Sequence, residues 1–283
     1  MTQYLNGKTV AQNIRERLTR DIACHHKKTG RLPGLAVVFV GHDPASEVYV
    51  RNKGRAAKSL GMRSIEVRMP EKSTTDAVVA TVDRLNRDPE VHGILVQLPL
   101  PGGIDRQRVI ESIAARKDVD GLTPANQAAL VQNQPGLRPC TPLGIMELLT
   151  AYNFGVAGKR VAIIGRSALV GLPVGLLCLQ QNATVTIMHS KTLDPARMVR
   201  DAEVVIVAAG KPQLVTRDWV NPDAVVIDVG IHRTAEGLLG DVDFPGLDGY
   251  VRAISPVPGG VGPMTIAELL SNTFRAFLTQ EPS

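Results

Sequence analysis

Tyr49 and Lys53 stand four residues apart in the run Ser46-Glu47-Val48-Tyr49-Val50-Arg51-Asn52-Lys53. On a helix both project from one face, with Ser46 one turn before Tyr49. A phenol beside an amine can serve as an acid/base pair, although the same spacing also suits an ordinary solvated helix face. Short-chain dehydrogenases carry a Tyr-x-x-x-Lys pair as well, but after their nucleotide turn. Here the pair precedes the glycine turn at Gly165 by more than a hundred residues, so order excludes that analogy.

The second chemically suggestive stretch is that turn, Val161-Ala162-Ile163-Ile164-Gly165-Arg166-Ser167-Ala168-Leu169-Val170-Gly171. An apolar run breaks into glycine and then resumes a helical pattern, which reads as strand, tight turn and helix start. Backbone N–H groups and the positive end of a helix dipole converge at such a turn, and the missing Cβ at Gly165 and Gly171 lets a pyrophosphate approach. Ser167 stands where a G-x-G-x-x-G fingerprint has its second glycine, and Gly171 comes one residue late for the third. A packing turn in another βα unit would look similar. One unit downstream, where an NAD-binding fold places a carboxylate on the ribose, the residues are His189-Ser190-Lys191-Thr192. A hydroxyl and a cation there, with Arg166 nearby, accept a 2′-phosphate that a carboxylate would repel, which predicts NADP. Ser190 and Lys191 also fit an exposed polar loop.

The elements that must position these groups alternate. Apolar spacing at Val10, Ile14, Leu18 and Ile22 predicts a helix over 9–28, and Leu35–Val40 is a continuous apolar run suited to a strand buried on both faces. A helix over 45–60, a strand over 63–69, a helix over 75–87 and a strand over 93–96 follow, the last running into Gln97-Leu98-Pro99-Leu100-Pro101. Such alternation predicts parallel sheets with sites at the strand C-termini, where Gln97 falls. Next come a short helix near 105–114 and the acidic turn Lys117-Asp118-Val119-Asp120-Gly121, which taken alone is compatible with an ordinary turn aspartate. Thr141 is expected as an N-cap with Pro142 at the first helical position of a linking helix. Strands are expected again near 161–164, 184–188, 203–208 and 224–228, then a Gly/Pro-rich loop over 254–265 and a closing helix from about 264.

At 283 residues and 44% hydrophobic composition the chain can bury a core as one large or two smaller α/β domains. Its net charge of +5 is spread along the chain without aromatic-interleaved basic blocks, which favours small anionic ligands over nucleic acid. The N-terminal stretch lacks an apolar signal core and no run reaches membrane-span length, so cytoplasm is the expected compartment. Cys24, Cys140 and Cys178 suggest neither disulfides nor a metal site and are expected to be buried inert thiols. The six histidines form no metal spacing or dyad in the sequence.

These stretches together resemble the bifunctional methylenetetrahydrofolate dehydrogenase/methenyltetrahydrofolate cyclohydrolase family. The resemblance runs from Ser46–Lys53 through Gly93–Pro101, Lys117–Gly121, Pro139–Pro142 and Gly165–Ser167 to Pro258-Gly259-Gly260-Val261-Gly262-Pro263-Met264-Thr265, six stretches in order over nearly the whole chain. It implies two α/β domains with a cleft between them, a folate-binding catalytic domain over 1–140 and a Rossmann-like NADP-binding domain over 141–263. The C-terminal helix, about 264–283, would pack back onto the first. The synthetase domain that some members carry is not expected at this length.

By the same resemblance Lys53 is the acid/base lysine, Tyr49 stacks on and orients the folate, Gln97 hydrogen-bonds near Lys53, and Asp120 grips the pterin amino edge. Leu98 and the Pro258, Gly259 and Gly260 loop would line the folate pocket. Gly165, Arg166, Ser167, Gly171, Ser190 and Ile231 would contact NADP, and no metal is expected. The implied protein is a homodimer formed through its cofactor domain, acting in one-carbon metabolism and purine biosynthesis, with no nucleic-acid or membrane partner. The chemistry agrees with the residue set. Oxidising a methylene bridge between two nitrogens yields a delocalised cation, so no hydroxyl proton need be removed and no catalytic histidine is required. Hydrolysis of that cation needs a proton taken from water and one given to a ring nitrogen, which a single partly neutral amine can do.

Overall fold

Strands buried on both faces need no alternation, and the apolar runs of this chain form parallel sheets of that kind. The computed structural model describes residues 1–235 and 237–281. In chain order it comprises β1 (Gln3–Tyr4), α1 (Gly7–Thr29), β2 (Gly34–Val40), α2 (Pro44–Ser59), β3 (Arg63–Met69), α3 (Thr75–Arg87) and β4 (Gly93–Val96). There follow α4 (Arg106–Glu111), α5 (Pro124–Val131), α6 (Cys140–Ala151), β5 (Arg160–Ile164), α7 (Gly171–Gln180), β6 (Thr184–Met188), α8 (Pro195–Val199) and β7 (Val204–Val207). The remainder is β8 (Val225–Asp228), β9 (His232–Thr234), β10 (Gly237–Leu239), α9 (Phe244–Leu247), β11 (Ala253–Ile254) and α10 (Val261–Gln280).

The chain divides into two units. One holds residues 13–140 and the chain from Leu269 onward; the other holds Met1–Gln12 and Thr141–Glu268. The sequence expectation grouped residues 1–12 with those that follow them. They fall instead in the later unit, where β1 pairs in parallel with β11, Gln3 opposite Ala253 and Tyr4 opposite Ile254.

In the unit of residues 13–140 the sheet order is β3-β2-β4, all parallel, and every residue of β2 is buried. Its core joins Val38, Ile94 and Val96 to Val78, Val82 and Leu85 of α3, a helix capped by Thr74, whose hydroxyl accepts from the Ala77 N–H. The central strand is first in sequence, so connections leave it in opposite directions and a crevice opens at the C-terminal ends of β2 and β4. In the other unit the order is β1-β11-β8-β7-β5-β6, again parallel, with β7 and β8 wholly buried and the corresponding switch between β5 and β7. The β9–β10 hairpin is antiparallel.

Two helix starts differ from expectation. α6 begins at Cys140, so Thr141 is inside its first turn and is no N-cap; its hydroxyl pairs with that of Thr265 at 2.9 Å. α10 begins at Val261, because Gly262 and Pro263 occupy a first turn, where a proline sacrifices no helical hydrogen bond. The last two residues of the closing segment expected over 264–283 lie outside the described residues. Among the described residues no helix is long and apolar enough to cross a membrane.

His92, 3% exposed, accepts the Gly34 N–H at Nδ1 (3.0 Å) and stands edge-on to Phe277 of α10 with ring centroids 4.7 Å apart. Burial, then the positive charges of Arg31, Lys117 and Arg63, hold its pKa down at about 4, with Glu281 opposing. Between that value and the unfolded value of roughly 6.5 only the unfolded chain takes up the proton. Stability should therefore be lost as pH falls from about 6.5 towards about 4 and level off below. Urea titrations across that range should show the slope, and His92→Leu should flatten it.

Candidate active site

α2 starts from Asp43, whose carboxylate accepts the Ser46 N–H at 2.7 Å, with Pro44 in the first turn. That start sets the helix phase, leaving Tyr49 39% exposed and Lys53, one turn on, half-buried. At the C-terminal end of β4 the Gln97 N–H donates to Val38 O (2.9 Å), continuing the ladder one residue, and the side chain is 9% exposed. The Gln97 amide nitrogen donates to Leu98 O at 2.6 Å, which turns its Oε1 towards Lys53, whose Nζ donates to it at 2.9 Å.

The acidic turn supplies the counter-charge. Lys117 is buried and donates to Leu85 O and Asp88 O, while the buried Asp118 accepts Thr123 N–H at 2.7 Å and the Asn126 amide at 2.9 Å. Both residues thus hold the turn, and Asp120 is left half-buried beside the Cys140 thiol. Burial pushes the Lys53 pKa down, opposed by the negative charge of Asp120. Burial pushes the Asp120 pKa up, opposed by Lys53 and reinforced by Asp118. An amine whose pKa is lowered, coupled to a carboxyl group whose pKa is raised, is an arrangement suited to proton transfer. Lys53, Gln97, Leu98 and Asp120 therefore form one constellation, on whose helix Tyr49 is exposed.

Two cysteines differ from expectation. Cys140 is buried but lies beside Asp120, a proximity that sequence separation hides. Cys24, also expected to be buried, is exposed.

In the unit of residues 141–268, β5 is followed by Gly165, whose φ is +127° and whose missing Cβ would stand 2.1 Å from the carbonyl oxygen of Ala208, the residue after β7. The turn opens on a cavity of about 420 Å³ lined by Gly165, Arg166, Ser167, His189, Ser190, Thr192, Lys211 and Trp219, among others. No carboxylate is among the lining residues, whereas Arg166 and Lys211 bring two cations and Ser190 and Thr192 hydroxyls. Thr192 accepts the His189 N–H at 2.9 Å and His189 Nδ1 accepts the Lys191 N–H at 3.2 Å, so the loop holding Ser190 is internally braced. Lys191 itself is exposed and does not line the cavity; Lys211, in the loop that follows β7, does.

Gly171 does not line it either. It lies beneath the turn, where a Cβ would stand 2.0 Å from Gly165 O, so its absence of side chain lets α7 start against the turn. Ser167 Oγ accepts the Val170 N–H at 3.2 Å there. Ile231 lines a separate cavity of about 130 Å³, together with Pro258, Gly259, Gly260 and Lys8. Beneath these loops, buried Asp241 accepts the N–H groups of Ala209 (2.6 Å) and Gly210 (2.8 Å) and pairs with His232 at 2.7 Å. Among the described residues no group of three metal-ligating side chains forms.

A parallel sheet whose switch point carries a strained glycine turn and a cationic, carboxylate-free cavity defines a dinucleotide-binding α/β enzyme. Family comparison narrows the class. Residues 5–120 match the catalytic domain of tetrahydrofolate dehydrogenase/cyclohydrolase and residues 139–281 match its NAD(P)-binding domain, and the chain belongs to that family. It is 50% identical over 277 residues to bifunctional protein FolD 2 of Geobacter sulfurreducens, covering 98% of this chain and 97% of that one. Among solved structures, the bifunctional FolD dehydrogenase/cyclohydrolase of Campylobacter jejuni superposes with a TM-score of 0.97 at 42% identity over 99% of this chain and 100% of that one. The Trypanosoma brucei dehydrogenase-cyclohydrolase, solved with NADP cofactor and an inhibitor, gives 0.92 at 39% identity over 98% of each chain.

Because Gly165 combines a left-handed φ with contact against Ala208 O, Gly165→Ala must displace the turn. Its dinucleotide affinity, titrated by calorimetry, should fall at least about tenfold, with the sheet still folded by circular dichroism.

Proposed function

We propose that this chain oxidises 5,10-methylenetetrahydrofolate to 5,10-methenyltetrahydrofolate with NADP and then hydrolyses the product to 10-formyltetrahydrofolate, a one-carbon donor of the kind purine synthesis consumes. The observation that carries this reading is the half-buried Lys53 amine on the Gln97 amide oxygen, with Asp120 electrostatically coupled to it. Family membership supports both activities. NADP rather than NAD is supported by the cavity of Gly165, Arg166, Ser190 and Lys211, whose cations and hydroxyls fit a 2′-phosphate, and by the cofactor bound in the trypanosomal relative.

In this reading Asp120 accepts from the pterin amino edge and the exposed ring of Tyr49 packs on the folate. When bound, oxidised NADP supplies the two-electron acceptor for the methylene carbon. Nitrogen lone-pair donation leaves a delocalised cation, so this step asks no proton of Lys53. Hydrolysis does. The neutral amine takes a proton from the attacking water as the C–O bond forms, and the resulting ammonium returns a proton to the ring nitrogen as the C–N bond breaks, the remaining hydroxyl proton leaving to solvent as the formyl C=O forms. Gln97 fits both states of that cycle, since its Oε1 accepts from either the amine or the ammonium.

We also place the enzyme in the cytoplasm as a homodimer formed through the unit of residues 141–268. β6 is an outer strand of the sheet, and α7 next to it exposes Leu172 (45%) and Leu179 (51%) one face apart from the core. Sedimentation should give about twice the 30.4 kDa chain mass. Leu172→Glu/Leu179→Glu should reduce it to the monomer value.

Absorbance-followed conversion of methylenetetrahydrofolate with NADP, then with NAD, tests the main reading. In Lys53→Met hydrolysis should fall by about 10²–10⁴-fold while NADP reduction partly survives, so that the methenyl intermediate accumulates. Hydrolysis at the wild-type rate in that variant would remove Lys53 from the mechanism. In the wild type, kcat/KM for hydrolysis should rise with pH and level off below the ordinary lysine range of roughly 10.4, because the basic form exists above the lowered pKa.

A further inference from the structure

Asn272 lies on α10, wholly buried. Its amide nitrogen donates to Val119 O at 2.9 Å and to Arg138 O at 2.8 Å, spending both hydrogens, and the Cys140 sulfur lies 3.7 Å from the same nitrogen. An amide facing two carbonyls has its orientation set, because a flip would place oxygen against oxygen. Its Oδ1 makes no hydrogen bond among the described residues, so a buried acceptor is left unsatisfied in order that the nitrogen can reach both carbonyls.

The two carbonyls belong to two different segments. Val119 immediately precedes Asp120, and Arg138 leads through Pro139 to Cys140. The segments are in close contact. A Cβ on Gly121, whose φ is +68°, would stand 2.5 Å from the Arg138 carbonyl carbon and 2.6 Å from Pro139 N. The Cys140 thiol also donates to Val119 O, at 3.2 Å. The bonds of Lys117 and Asp118 fix the turn before residue 119, whereas the Asn272 amide grips it at Val119.

We propose that Asn272 is a positioning residue for folate recognition, clamping the turn that presents Asp120 to the segment that presents Cys140. It acts from a helix 153 residues downstream of Val119. This rests on the assignment of Asp120 to the pterin. Burial raises the Asp120 pKa, so a turn released from its clamp admits water and lets that pKa fall back towards the ordinary carboxylate range.

The test compares the full-length enzyme with Asn272→Ala, Asn272→Ser, Asp120→Asn and, on the same helix, Thr273→Val. Thr273 is buried and its hydroxyl donates only within α10, to Leu269 O at 2.8 Å. KM for methylenetetrahydrofolate and for NADP, kcat, the pH dependence of the folate KM and the unfolding temperature are measured for each. Asn272→Ala should raise the folate KM about tenfold, with the NADP KM within about twofold of wild type, as expected for loss of a buried bidentate hydrogen bond. The acid limb of the folate KM should move to lower pH. Thr273→Val should leave both KM values and the limb in place. Should Asn272→Ala not fold, Asn272→Ser is judged by the same readouts. A lower unfolding temperature with folate KM and acid limb unchanged would overturn the clamp. Asp120→Asn separates the two levels, since an unchanged folate KM in that variant refutes the Asp120 assignment itself.

Discussion

An amine drawn partly out of water has its charged form penalised, and the half-burial of Lys53 constrains the residues around it. Desolvation alone would strand a charge; the Gln97 oxygen and the field of Asp120 keep the charged form accessible without restoring it fully. Gln97 can play that part only because Leu98 O occupies its amide nitrogen, and it stands at the right height only because its backbone extends the β4 ladder onto Val38. Asp120 in turn is displaced from ordinary carboxylate behaviour by the same dry surroundings. The amine and the carboxyl are thus one electrostatic object, and the sheet, α2 and the acidic turn are the means of holding its parts at fixed separation.

Much of this was legible where a residue's role depends on near neighbours. The wholly buried strands were readable from uninterrupted apolar runs, Gly93–Val96 to the residue, and the more exposed Thr184–Met188 from its alternation. Tyr49 and Lys53 share a helix face as their spacing requires. What escaped depends on distance in sequence. β1 and β11 are two residues long and carry no period; each is a strand only because a remote strand pairs with it. Lys211 sits in a turn of ordinary composition and acquires meaning only beside Arg166 and Ser190. Thr141 has the chemistry of a cap, but the helix starts one residue earlier, and tertiary contact with Thr265 takes its hydroxyl. Cys140 and Asn272 are invisible to local reading for the same reason, since their partners lie on other segments.

The two units solve the problem of ligand access in the same way. In each, one strand, β2 in the smaller sheet and β5 in the larger, is flanked by later strands on both sides, and the crevice this creates is lined by residues just past the strand ends. The chemistry placed there differs. One crevice has an amide and an amine, with the apolar β2 and β4 behind them; the other has glycine, where a side chain would collide with the neighbouring strand's carbonyl. A shared topology therefore accounts for the location of both sites and for neither function.

The pairing of β1 with β11 has a consequence for biogenesis. The Thr2 hydroxyl reaches Val251 O, 249 residues away, so the first strand off the ribosome has no sheet to join until nearly the last is made. At ordinary translation speeds that interval is roughly ten to fifty seconds. Meanwhile residues 13–140 are already outside, carrying the whole of the β3-β2-β4 sheet. β1 thus stays an unpaired sheet edge while the residues up to β11 are made, and the larger sheet is completed only once β11 has emerged.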